Sequence, residues 1–309
     1  MNDDRSIELL RMRAEACIDR NDLDGAIDLF EQILAIDPTL GDVHASLALC
    51  LVDRRLVDVA RAEAELAMSL DPDQAVCHRA MAHVLLAEGQ RRAALDALAT
   101  ARELEPEFAQ VYVTISAIER MLGQDGEAAL RRALELEPED PSVLAAWSEF
   151  ERERGDLDEA EAKAREALEF DAEHAEAILA LGWVLMQRGR LDEARDLAAT
   201  ALRQDPGDAD ALRLLASCRA RKSLVLGLWF RFNMKLAQLG EGKSIAVMLG
   251  AYVVVRILYL VLIDLGHEQA AQVVLIAWLV VCVYTWIGPG LFRRMLQREI
   301  GELELDPDY

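Results

Sequence analysis

A beat of 34 residues runs through positions 1–206. Short acidic stretches closed by proline, "AIDP", "SLDP", "ELEP", "ELEP" and "RQDP", place Pro38, Pro72, Pro106, Pro138 and Pro206, and Ala172 in "EFDA" fills the missing beat. The intervals are 34, 34, 32, 34 and 34. Proline cannot continue a helix, so each mark closes a unit. Between the marks, "NDLDGAIDLF", "GDLDEAEAKA" and "GRLDEARDLA" are close copies, each a polar turn leading into an alanine-rich helix. The pattern predicts an all-α chain built from one repeated helical unit.

The stretch "ALGWVLMQRGRLDEARDLAATALRQDP" resembles the tetratricopeptide repeat (TPR). Leu181 and Gly182 fall in its first helix, Ala194, Ala198 and Ala201 in its second, and Pro206 at its close. Small residues at those points let the helices approach closely. The resemblance implies two antiparallel helices per unit and a right-handed solenoid of six repeats over 1–206. A capping helix, "DADALRLLASCRA", follows within 207–221. The fourth repeat is two residues short and carries Gly123 and Gly126 around its turn, which predicts a local change of curvature. Trp147 falls on a packing position and is expected in the core.

Beyond the repeats the chain changes character. Residues 244–263, "SIAVMLGAYVVVRILYLVLI", and 270–287, "AAQVVLIAWLVVCVYTWI", are apolar runs of bilayer-crossing length. They predict a two-span transmembrane hairpin over 243–290, with a buried hairpin of a soluble domain as the competing reading. Positive residues flank both runs and the connector "DLGHEQ" is acidic. By the positive-inside rule the repeats and a 291–309 tail then face the cytoplasm. Within 222–242, Trp229 and Phe232 fall on one helical face and Arg231 and Lys235 on the other. This predicts an amphipathic helix at the membrane interface, with Lys243 as a further anchor. The scarcity of lysine and the abundance of arginine and alanine suit a GC-rich bacterial genome, so the expected location is a bacterial inner membrane, N-in and C-in. Arg256 lies mid-run with Tyr252 and Tyr259 on its face, a polar stripe that either meets a second protein or snorkels to the headgroups. The tail "GELELDPDY" reads as a docking peptide or as disordered chain.

"AQLGEGKS", 237–244, fits a loosened phosphate-binding loop. A working loop of that kind joins a strand to a helix, and no strand-rich region exists here. Gly240 and Gly242 read instead as a turn, and no nucleotide is expected.

In the TPR family the first helix of each unit lines a binding groove, and the resemblance carries four positions per unit onto this chain. The third repeat offers Val76, Arg79, His83 and Ala87, the fourth Gln110, Val113, Ala117 and Arg120. The fifth offers Ser142, Ala145, Glu149 and Arg152, the sixth Glu176, Leu179, Trp183 and Met186. The first two offer Glu8, Arg11, Glu15, Asp19 and Asp42, Ala45, Leu49, Val52. The Lys/Asn clamp by which chaperone-binding members hold a peptide C-terminus has no counterpart at these positions. Leu179, Trp183 and Met186 form an apolar patch with Arg152 and Arg120 near, suited to a peptide or helix. Two occupants fit it: a partner protein, or the chain's own capping or interfacial helix.

Charge and side-chain inventory narrow the function. The net charge is −22, and residues 219–309 hold 10 basic against 8 acidic side chains, so residues 1–218 carry −24. Such a surface repels nucleic acid. The five cysteines are odd in number and scattered, and look like apolar fillers. No nucleophile–base pair, metal-ligand spacing or cofactor motif is legible, so no enzyme, metal or cofactor is expected. The chain reads as a membrane-anchored protein–protein interaction scaffold recruiting a protein or peptide to its groove. The alternative is a structural subunit of a homo-oligomeric membrane assembly built through the hairpin.

Overall fold

The computed structural model describes residues 2–20, 22–222, 252, 255–265, 267, 269–270 and 272–276. Between Asn2 and Lys222 the chain is a succession of helices with no strand among the described residues. It divides into two units, Met1–His174 and Ala175–Tyr309. The first unit holds five hairpins: α1 (Asn2–Asp19) with α2 (Leu23–Ile36), α3 (Gly41–Asp53) with α4 (Val57–Leu70), α5 (Ala75–Ala87) with α6 (Arg91–Leu104), α7 (Ala109–Met121) with α8 (Glu127–Leu136), and α9 (Pro141–Arg154) with α10 (Leu157–Phe170). The second holds α11 (Ala175–Gln187), α12 (Leu191–Gln204) and α13 (Ala209–Lys222).

Small residues set the spacing within each hairpin. Ala60, Ala64 and Ala67 on α4 recur as Ala160, Ala164 and Ala167 on α10, and all six are fully buried. On the first helices Ala14, Ala48, Ala82, Ser116 and Ser148 hold the matching close-approach position, buried in each case. Alanine itself contributes little transfer free energy. The larger buried side chains Ile33, Leu98, Ile118, Leu130, Leu144 and Phe150 supply about 1.5–3 kcal/mol each. Trp147 is only half-buried and leans on Phe150 at 5.8 Å between ring centroids, so Phe150 takes the core position expected of the tryptophan.

The turns repeat as faithfully as the helices. Gly89, Gly123 and Gly155 adopt positive φ one repeat apart, and Arg55 stands at the same place with φ 61°. The next N–H in each turn, from Leu56, Gln90, Gln124 and Asp156, donates to the carbonyl five residues back, on Leu51, Leu85, Glu119 and Glu151. These bonds satisfy carbonyls at the helix end that have no partner within the helix. A second device ties three successive hairpins, each to the proline that closes the hairpin before it. His44 Nε2 meets the Pro38 carbonyl at 3.1 Å, His78 Nε2 that of Pro72 at 2.8 Å, and the Tyr112 hydroxyl donates to that of Pro106 at 2.9 Å. His44 is buried, and its Nδ1 faces Glu63 Oε2 of α4 at 2.6 Å.

The fourth hairpin shows what the missing two residues do. Helix α8 has 10 residues where its counterparts α4, α6 and α10 each have 14. Gly126, φ 71°, caps it and stands where α10 has the buried Ala160. In the fifth hairpin the Ser148 hydroxyl donates to the Ala160 carbonyl at 2.7 Å. The equivalent Ser116 faces the altered turn instead, and its buried Oγ has no partner among the described residues.

The expectations for the C-terminal third need correction. Among the described residues no helix is long and apolar enough to cross a membrane, which overturns the reading as an integral inner-membrane protein oriented N-in and C-in. The described helical stretches of the two apolar runs are 255–264 and 272–276. The Arg256 guanidinium lies over the Tyr259 ring, 5.1 Å from its centroid, and Tyr252 is exposed. The interfacial helix with Trp229, Arg231, Phe232, Lys235 and Lys243, the 237–244 loop, Cys282 and the 291–309 tail lie outside the described residues. Cys17, Cys50, Cys77 and Cys218 are buried free thiols.

Candidate partner-binding face

The first helices α3, α5, α7 and α9 each leave one side partly uncovered by their hairpin partners. Leu49 and Val52 on α3, Val76 on α5, and Val113 and Ala117 on α7 are half-buried there, while Ala45 and Ala145 are buried outright. Three arginines share that side. Arg79 lies on α5, Arg120 on α7 and Arg152 on α9, with side chains 18%, 14% and 18% exposed.

Each of these guanidiniums is held, yet none is used up. Arg79 Nη1 donates to Glu105 at 2.8 Å, and its guanidinium carbon lies 4.0 Å from the centroid of the Phe108 ring. Arg120 Nη1 donates to Glu153 at 2.7 Å, while its buried Nε has no partner among the described residues. Arg152 Nη2 reaches Glu149 at 3.5 Å and stands 4.0 Å from Glu153. Glu153 therefore sits between Arg120 and Arg152. The carboxylates are the more exposed partners in all three cases.

Other arginines of this chain close their forks. Arg61 places Nε and Nη2 on Glu88 and Nη1 on Glu65. Arg11 grips Asp42 with both Nη atoms, and Arg165 grips Glu161 with Nε and Nη2. A guanidinium binds a carboxylate best through two parallel N–H donors. Arg79, Arg120 and Arg152 are each held through a single nitrogen instead.

His83 lies one turn beyond Arg79 on α5. Burial, and then the Arg79 charge, pushes its ring below the usual imidazole value, so the neutral form is favoured at pH 7. Its ring makes no hydrogen bond among the described residues, and it presents one donor and one acceptor. Burial likewise pushes the Arg79 guanidinium below its ordinary value, with Glu105 opposing.

In the second unit the expected apolar patch is divided. Leu179 and Trp183 on α11 are half-buried, but the Met186 side chain is buried and its carbonyl accepts a bond of 2.8 Å from Arg221 Nη1 of α13. Leu214 of α13 fills the space that a Cβ on Gly182 would need. Helix α13 thus packs closely on α11 beside Met186.

Sequence reasoning placed the three arginines and His83 on one face but missed Glu105, Phe108 and Glu153. Phe108 carried a faint signal, being an aromatic two residues past a closing proline where the other repeats have Leu40, Gln74, Asp140 and Asp208. No group of His, Cys, Asp or Glu among the described residues is arranged to hold a metal ion.

The model of the family described as Cilia and flagella-associated protein 70 C-terminal domain matches residues 4–216. Among solved structures, a thermophilic TPR protein of Thermus thermophilus is 22% identical with a TM-score of 0.53, over 60% of this chain and 99% of that one. A chain of the APC/C hetero-tetramer Cut9-Hcn1 is 17% identical with a TM-score of 0.55, over 76% of this chain and 54% of that one. A tetratricopeptide repeat protein from Parabacteroides merdae is 15% identical with a TM-score of 0.50, over 78% and 96% of the two chains. At these identities the likeness shows the fold. No curated protein matches the chain.

Proposed function

Because the chain belongs to the family of the Cilia and flagella-associated protein 70 C-terminal domain, whose fold is an array of tetratricopeptide repeats, we propose that it is a protein–protein interaction scaffold that takes a peptide segment on the open side of its first helices. The observation that carries this reading is the set of three half-buried arginines, Arg79, Arg120 and Arg152, each engaged by one exposed carboxylate through a single nitrogen. Arginines held by aromatic or acidic neighbours have already lost much of their rotamer freedom, so a partner meets them at low entropic cost. Half-buried Val76, Val113 and Ala117 beside them offer apolar contact for the same segment. Leu179 and Trp183 are a separate candidate contact within the second unit.

Site-specific photo-crosslinking tests this. A photoreactive residue at Val113, on the open side of α7, should capture a partner that one at exposed Glu135, on α8, does not. Reversing charge with Arg79→Glu and Arg120→Glu should remove the adduct. Equal capture from both positions, insensitive to the arginines, would refute the scaffold face.

A further inference from the structure

The bound segment has a chemistry that these arginines define. We infer that the face formed by α5, α7 and α9 takes an acidic segment of a partner protein, whose carboxylates seat on Arg79, Arg120 and Arg152; this rests on the scaffold reading above.

The argument begins with which donors remain. Arg79 has spent Nη1 on Glu105 and one face of its plane on Phe108, and its Nε and Nη2 have no hydrogen-bond partner among the described residues. A carboxylate fits the Nε–Nη2 edge with two parallel bonds. His83, one turn along, adds a further hydrogen-bonding ring with no partner among the described residues. On α7 and α9 the pattern is Arg120, Glu153, Arg152 and Glu149 in alternation, and the bridging Glu153 is 46% exposed. An exposed carboxylate bound through one nitrogen is held weakly. The Arg120 Nε is buried, so an incoming carboxylate reaches this pair by taking the place of Glu153.

Carboxylate is favoured over phosphate by the rest of the chain. Residues 1–218 carry a net −24, and a phosphate at pH 7 brings nearly twice the charge of a carboxylate into that field. The face is also not uniformly basic: Glu105, Glu149 and Glu153 stay within it. A short segment of single negative charges spaced by apolar residues matches both the arginines and the valines between them.

The test uses the full chain and three labelled twelve-residue peptides, alternating Glu-Leu, Gln-Leu and phosphoserine-Leu, with binding read by fluorescence anisotropy. The Glu-Leu peptide should bind at least tenfold tighter than the Gln-Leu peptide. Arg79→Lys and Arg120→Lys keep the charge but lose the fork, and each should weaken Glu-Leu binding about tenfold. Arg165→Lys, whose fork is closed on Glu161, should change nothing. A comparable loss in Arg165→Lys, or tighter binding of the phosphoserine peptide, overturns the carboxylate assignment. Equal affinity for Glu-Leu and Gln-Leu, with both abolished by Ala117→Arg, overturns it too but leaves the scaffold face standing. Absence of binding by every peptide, or binding untouched by Ala117→Arg, sinks the inference and the face together.

Discussion

Substituting Gly126 by alanine separates two costs that most glycine turns confound. Gly126 and Gly155 both hold positive φ, 71° and 93°. An alanine forced into that region costs about 1–2 kcal/mol. Nothing lies within 4 Å of where a Cβ would project at Gly155, so Gly155→Ala should cost that and little more. At Gly126 the added Cβ would stand 2.8 Å from the Ser116 carbonyl oxygen, 3.0 Å from its Oγ and 3.1 Å from Arg120 Cγ. The first of these is backbone of α7 and cannot rotate away, so overpacking adds about 1–3 kcal/mol, for about 2–5 kcal/mol in all. Hydrogen exchange by mass spectrometry suits a repeat array because it reads each hairpin separately. Protection in α7 and α8 should fall roughly 30-fold to several thousand-fold in Gly126→Ala, against roughly 5- to 30-fold in α9 and α10 for Gly155→Ala. Equal losses in the two variants would show that α7 yields freely and that the close approach costs nothing. Because Arg120 is part of the clash, Gly126→Ala should also weaken binding at that arginine.

Four further outcomes follow from the same geometry. Ser116→Ala removes a buried hydroxyl without a partner and should leave stability unchanged or raise it, whereas Ser148→Ala breaks the bond to Ala160 and should cost about 1 kcal/mol by urea unfolding. Arg55→Gly relieves a positive φ in a non-glycine residue and should stabilise by about 0.5–1 kcal/mol, seen as a raised midpoint. Glu63→Leu strips buried His44 of one partner and should cost about 1–3 kcal/mol, part of which the double variant with His44→Leu recovers in a thermodynamic cycle, since Leu144 fills that place in the fifth hairpin. His83, its folded value held below the unfolded one near 6.5, is taken up with protons first by the unfolded chain. Its contribution is therefore complete above about pH 6.5 and declines as pH falls toward the folded value, so His83→Gln should flatten the thermal-midpoint profile between pH 7.5 and 5.

The repeated backbone was legible because it is written in residues with restricted conformations. Prolines at a fixed interval and glycines at 89, 123, 155 and 189 mark helix ends whatever surrounds them. Arg55 shows the limit, for the turn forms there through its backbone bonds with no glycine to announce it. Ser116 and Ser148 show another: two identical residues in equivalent helices differ because a deletion ten residues on changed the carbonyl that one of them would meet. For the C-terminal third, no helix among the described residues is long and apolar enough to cross a membrane.

The candidate face was legible as a list of positions and not as chemistry. Counting from the prolines, with the groove positions that the tetratricopeptide resemblance implies, put Arg79, His83, Arg120 and Arg152 on one side. Whether an arginine there is structural or available depends on how many of its five donors are already taken. Arg11 satisfies the same counting rule, yet both of its Nη atoms grip Asp42 from the next hairpin and it offers little to a partner. Arg79 meets Glu105 and Phe108, which lie beyond the next helix in sequence, and it is held through a single nitrogen. The difference rests on residues about 30 positions away along the chain, brought alongside by the repeat. A candidate face of this kind is therefore specified twice: by the repeat for where its cations stand, and by the neighbouring hairpin for how many of their donors are taken.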